Sequence, residues 1–129
     1  ALAGERVEVT GFVSDAELQR RYGAARVAVV PLRFGAGVKS KVVEALQQGL
    51  PLVTTHVGAQ GLPGVEAASS VADDPVALAD AILAWLDDDQ AWLSASRAGA
   101  AYAGARFSRA ALQATLLGAL GIAAREERA

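Results

Sequence analysis

Residues 26–55 read RVAVVPLRFGAGVKSKVVEALQQGLPLVTT, two short apolar runs separated by a glycine-bearing loop and an amphipathic segment. RVAVVP is stopped by Pro31 and has the pattern of a strand buried on both faces of a parallel sheet. LPLVTT, residues 50–55, has the same character. Between them, Val42, Val43 and Leu46 fall on one side of a helical wheel, and Lys41, Glu44 and Gln48 on the other. The spacing predicts a helix that starts at Gly37 and Val38 and is closed by Gly49 at its C′ position. Strand, helix and strand in that order make a βαβ unit with parallel pairing.

Upstream, RVEVTGF alternates with β-branched residues and predicts a strand over 6–10 that ends at Gly11. Ser14 with Glu17 three residues later is a capping-box signature, opening a helix with Leu18, Tyr22 and Ala25 on one face. Downstream, the loop HVGAQGLPG leads to a short strand near SSVA. Asp74 before Pro75 is an N-cap and N1 pair for a helix whose apolar stripe is Ala79, Ile82, Leu83 and Leu86. The run Asp87 to Asp89 reads as a helix end plus the next cap, and Trp85 and Trp92 as packing residues. A further helix is expected over about 90–103, and Ser108 caps a last one carrying Leu112, Leu116 and Leu120. The class is α/β: a parallel sheet with flanking helices and a helical C-terminal tail.

At 129 residues the chain is one domain or part of one. A net charge of −2 gives no electrostatic footprint for nucleic acid, so no nucleic-acid partner is expected. No apolar run approaches the ~20 residues needed to span a bilayer. Cysteine is absent, which excludes disulfides and thiolate metal sites and fits a reducing compartment. With a single histidine, His56, no His-cluster metal site is possible, and no metal site is expected. Methionine is absent too, at position 1 included, so the chain reads as a piece of a longer protein.

Two familiar motifs fail on spacing. The GAG at 35–37 has Ser40 where a dinucleotide fingerprint needs Gly or Ala, and it lacks an acidic residue about 20 positions on. GVKSK lacks the earlier glycine a P-loop requires. The two lysines, Lys39 and Lys41, are more informative. They fall at the start of the helix, the electropositive end of its macrodipole, where a cation costs a few tenths to ~1 kcal/mol. Gly37, Lys41, Glu44 and Gln48 lie within about 40° on the wheel, a polar line running ~10 Å from the helix start to Glu44. An anion at the free amides would turn both lysines from a cost into a benefit. Glu44 would then stand where vicinal hydroxyls can donate to it, so the pattern fits a diphosphate joined to a ribose. The plainer alternative is two solvated lysines, with Lys41 and Glu44 forming an i,i+3 pair worth ~0.3 kcal/mol.

The stretch GFVSDAELQRRYGAARVAVVPLRFGAGVKSKVVEALQQGLPLVTTHVGAQGL resembles the C-terminal, nucleotide-sugar-binding domain of GT-B glycosyltransferases of the retaining, family-4 type. The similarity runs over about residues 7–87, and the subgroup it resembles carries a GAGVKxK…E loop followed by G.P.V.T..GA.GL. The resemblance implies a partial Rossmann-like domain over residues 1–129 and a glycosyltransferase that moves a sugar from a nucleotide sugar to an acceptor hydroxyl with retention. It implies no cofactor beyond that substrate. By position, Glu44 matches the second glutamate of the E-x7-E motif, which binds ribose hydroxyls. Gly35, Ala36, Gly37 and Val38 match the loop whose amides face the donor sugar and diphosphate, and Gly11, Phe12 and Val13 match the turn near the nucleobase. The first glutamate of the motif would fall at Ala36, so that sugar contact is absent, with Lys39 the candidate for partial replacement.

Neither the acceptor-binding N-terminal domain nor the first two βα units of the resembled domain is in the chain. Those missing strands would lie between the strand at 6–10 and the one at 26–30. By itself the chain is therefore expected to be inactive. It should either self-associate through open sheet edges or close the gap by pairing strand 6–10 with strand 26–30. The expected localisation is cytoplasmic, with the full-length protein able to sit at the inner face of the membrane. Two alternatives share the pattern: a non-catalytic nucleotide- or anion-binding or assembly module, and a GT-B-fold sugar-nucleotide epimerase.

Overall fold

The computed structural model describes residues 4–121. Its elements run α1 (Asp15–Ala24), β1 (Ala28–Val30), α2 (Ser40–Gln47), β2 (Leu52–Thr54), β3 (Ser70–Val71), α3 (Pro75–Asp87), α4 (Asp89–Phe107) and α5 (Arg109–Leu120). A 3-10 turn at Val65–Ala67 precedes β3. The three strands form one parallel sheet in the order β1-β2-β3, with Ala28, Val29 and Val30 opposite Leu52, Val53 and Thr54, and Val53 and Thr54 opposite Ser70 and Val71. The class is α/β, as the alternation of strands and helices requires.

Capping chemistry sets the helix starts. Ser14 accepts from the Glu17 amide, Asp74 from Ala77, Asp88 from Gln90 and Ala91, and Ser108 from Ala111. Gly49 takes a left-handed φ of 68° after α2. The Gly49 amide donates to the Leu46 carbonyl, and the Leu50 amide to the Ala45 carbonyl, both at 3.0 Å. These two bonds make a Schellman motif that turns the chain into β2.

The core lies under α2. Val42, Ala45 and Leu46 are buried against Leu52, Leu62, Val65 and Ala103, and α4 crosses close enough that Gly99 faces Leu46. Buried Thr54 and Thr55 hydroxyls donate to the carbonyls of Val30 and Leu32, tying the end of β2 to the end of β1. Trp92 donates from Nε1 to the Arg26 carbonyl at 2.7 Å, while the Arg26 guanidinium lies 5.4 Å from its ring centre and donates to the Trp85 carbonyl. The Trp92 indole and the Trp85 backbone carbonyl therefore tie α4 and α3 to the segment just before β1. No helix among the described residues is long and apolar enough to cross a membrane.

Four expectations about the strands and the later helices need correction. Residues 6–10 form no strand; there is only a single antiparallel bridge between Gly4 and Val7. Isolated from a sheet, alternating valines have no partner to bury them, and Val7 and Val9 stay exposed. Strand 6–10 consequently does not pair with β1. The second correction is that β1 is an edge strand, with Val29 exposed rather than buried on both faces. Its outer side borders an apolar groove of about 420 Å³, lined by Leu18, Tyr22, Val27, Val29, Ala45 and Leu50 among others. Third, α3 turns a different stripe inward: Leu78, Ala81, Ile82 and Trp85 are partly covered, whereas Leu83 and Leu86 are exposed. The two stripes are adjacent on the wheel, so apolar spacing alone does not choose between them. Fourth, α4 begins at Asp89 and runs to Phe107, past the expected 90–103.

Candidate functional site

The loop at 33–38 follows the C-terminal end of β1, is exposed along its length and hands the chain to α2. Gly35 and Gly37 adopt φ of 134° and 77°, conformations that favour glycine. A residue with that φ cannot belong to a right-handed helix, and Lys39 is still extended at φ −96° and ψ 120°. The helix consequently begins at Ser40, with Lys39 as N-cap, and not at Gly37 and Val38.

Unlike α1, α3, α4 and α5, helix α2 has no side-chain cap. The amides of Val42 and Val43 share the Lys39 carbonyl, and those of Ser40 and Lys41 have no acceptor among the described residues. Two donors are thus open at the positive end of the dipole. The two lysines beside them are engaged. Lys39 folds back so that Nζ donates to the Gly37 carbonyl, and Lys41 Nζ donates to Glu44 Oε2 at 3.2 Å.

Glu44 is the junction of the site. Its Oε2 also accepts from the Tyr22 hydroxyl at 2.9 Å, while Oε1 accepts nothing among the described residues. Burial, then the hydrogen bond and charge of Glu44, push the Tyr22 hydroxyl up to about 12. One turn further along, Gln48 donates to Gln19 at 2.9 Å. The polar line of α2 therefore has two uses: Glu44 and Gln48 dock α1, and Lys41 stays on the exposed side. Sequence reasoning missed Tyr22 as the partner of Glu44. Its place beside Leu18 signalled apolar packing, and no local spacing links positions 22 residues apart.

Glu44, Lys41, Lys39, Gly35 and Gly37 are thus gathered around the start of α2, with Ala36 in the exposed loop between the glycines. Val38 rests against the loop after β2, where a Cβ on Gly61 would fall 2.7 Å from Val38 Cγ2. Gly11, Phe12 and Val13 are not brought in. Phe12 is 99% exposed, and no hydrogen bond among the described residues joins this segment to the α2 loop.

A second polar cluster sits beyond the C-terminal ends of the strands. Asp73 accepts from the His56 amide at 2.9 Å and pairs with His56 Nδ1 at 2.8 Å, beside Leu32, Arg33 and Thr55. The backbone and then the ring of His56 hold the Asp73 carboxyl below its usual range. Both side chains are largely exposed, and the amide bond makes Asp73 a brace for the turn after β2. No group of three His, Asp or Glu side chains suited to a metal converges among the described residues.

A family model described as glycosyl transferases group 1 matches residues 1–88 of the chain. No curated protein and no solved structure gives a significant match.

Proposed function

The chain belongs to the group 1 glycosyltransferases, and from that premise we propose that residues 35–44 form the diphosphate and ribose part of a nucleotide-sugar site. The enzyme would transfer a hexosyl group from the nucleotide sugar to an acceptor hydroxyl, with retention of anomeric configuration. An acceptor-binding domain outside this chain would supply the other wall. The observation that carries this is the pairing of an uncapped α2 start with a carboxylate that has one oxygen tethered and one free. The amides of Ser40 and Lys41 take the diphosphate, which is the role a helix N-terminus fits. Glu44 Oε1 accepts from the ribose hydroxyls. Gly11, Phe12 and Val13 are assigned to the nucleobase side on resemblance alone.

Lys39 has two ammonium hydrogens beyond the one given to Gly37, so it can hold the loop and meet a phosphate together. Lys39→Ala is expected to weaken a nucleoside diphosphate by about 1.5–3 kcal/mol and the bare nucleoside far less. Calorimetry with both ligands tests this. Equal losses would show that Lys39 supports the loop without touching phosphate.

The same proposal includes a partner for the open sheet edge, a second copy of this chain. Among the described residues the outer edge of β1 pairs with no strand, and Val29 is exposed, a combination that recruits another strand. Sedimentation velocity should show concentration-dependent association that Val29→Lys reduces. A wild-type chain that stays monomeric at high concentration would remove the second copy as an occupant.

A further inference from the structure

We infer that Tyr22 is a positioning residue for the ribose site: its hydroxyl holds one oxygen of the Glu44 carboxylate so that the other faces the ligand. This rests on the reading of Glu44 as the ribose contact. A glutamate that is 37% exposed has three side-chain torsions and would otherwise divide its time among several rotamers. Two groups reach its Oε2. Lys41 comes from the same helix, is 64% exposed and has a flexible four-carbon stem, so it gives charge with little constraint. Tyr22 comes from α1, and its ring is half-buried against the core cluster that includes Val42, Ala45 and Leu46. A rigid phenol held by a packed core is the better restraint, since it has two torsions and both are set by packing.

The rest of the seam agrees. Gln19 meets Gln48 at 2.9 Å one turn below, so α1 is registered on α2 at two points, and the Tyr22 hydroxyl arrives at Glu44 from a fixed direction. A phenol is protonated and able to donate throughout the neutral range, and burial beside Glu44 pushes Tyr22 further that way. A hydrogen bond given to Oε2 also leaves Oε1 as the only oxygen of Glu44 with both lone pairs open among the described residues. Vicinal hydroxyls would meet that oxygen without displacing a protein donor.

The test uses the full chain and NMR titration, which follows even millimolar binding. The probes are ADP, CDP, GDP and UDP, followed by the 2′,3′-dideoxy form of whichever binds most tightly. The wild type should prefer the ribose form. Tyr22→Phe keeps the ring and removes only the hydroxyl, and should weaken the ribose form by about 3- to 10-fold while leaving the dideoxy form unchanged. In a Glu44→Ala background, Tyr22→Phe should have no further effect on the ribose form. Equal weakening of both forms, or a ribose preference that survives Tyr22→Phe, would overturn the positioning role. Absence of any ribose preference in the wild type would instead remove the ribose reading of Glu44, and the role of Tyr22 with it.

Discussion

Leu46→Ala is expected to cost about 2–5 kcal/mol of stability, the range for truncating a fully buried leucine. Leu46 is 0% exposed and stands where α2, β2 and α4 meet. Its neighbours make the loss hard to repair. Ala45 and Ala103 are small, and the backbone of Gly99 already lies against it, with a Cβ placed there only 3.1 Å from Leu46 Cδ2. None of these side chains can swing into the void, so the cavity should persist and add its own term to the lost transfer energy. Against a total of about 5–15 kcal/mol for a domain, that is a large fraction. Urea unfolding should show a lower midpoint at unchanged slope. Leu83→Ala is the matched control, because Leu83 is 53% exposed and its truncation should stay within about 0.5 kcal/mol. Similar costs at the two positions would mean that the α2–α4 contact is not the centre of the core.

Features that one segment settles by itself are legible in the sequence. The Ser14, Asp74 and Ser108 caps and the Gly49 turn each need only residues within a few positions, and each forms as expected. The buried strand LPLVTT is legible because an uninterrupted apolar run is covered on both faces of a parallel sheet, and β2 is buried throughout. Strand 6–10 is misjudged because a strand exists only with a neighbour, and alternation says nothing of whether one is present. The edge position of β1 is missed for the same reason. At the site, the glycine loop and the Lys41–Glu44 spacing can be read from the chain, since i,i+3 geometry is local. The start of α2 cannot, because Gly37 fits a helix start as readily as the left-handed turn it makes. Tyr22 and Gln19 are invisible as site residues because the docking of α1 on α2 is a tertiary fact.

Glu44→Ala separates the two meanings of the polar line on α2. If Glu44 is only the partner of Lys41, its removal costs ~0.3 kcal/mol of helix stability and nothing in binding. The Tyr22 hydroxyl would lose its acceptor as well, but it lies at the edge of the groove, where water can replace a carboxylate. If Glu44 accepts from the ribose, that charge-assisted hydrogen bonding is lost, and a nucleoside diphosphate should bind about 10- to 100-fold more weakly, roughly 1.5–3 kcal/mol. Glu44→Gln should fall between, since the amide keeps the length and one acceptor oxygen but loses the charge. The expected signature is therefore a large change in affinity with a small change in melting temperature, graded from glutamate to glutamine to alanine. Titration and thermal unfolding of the same three samples supply both numbers. A melting temperature that drops while affinity stays constant would leave Glu44 as a purely structural residue, and the donor site would have to be sought elsewhere in the fold.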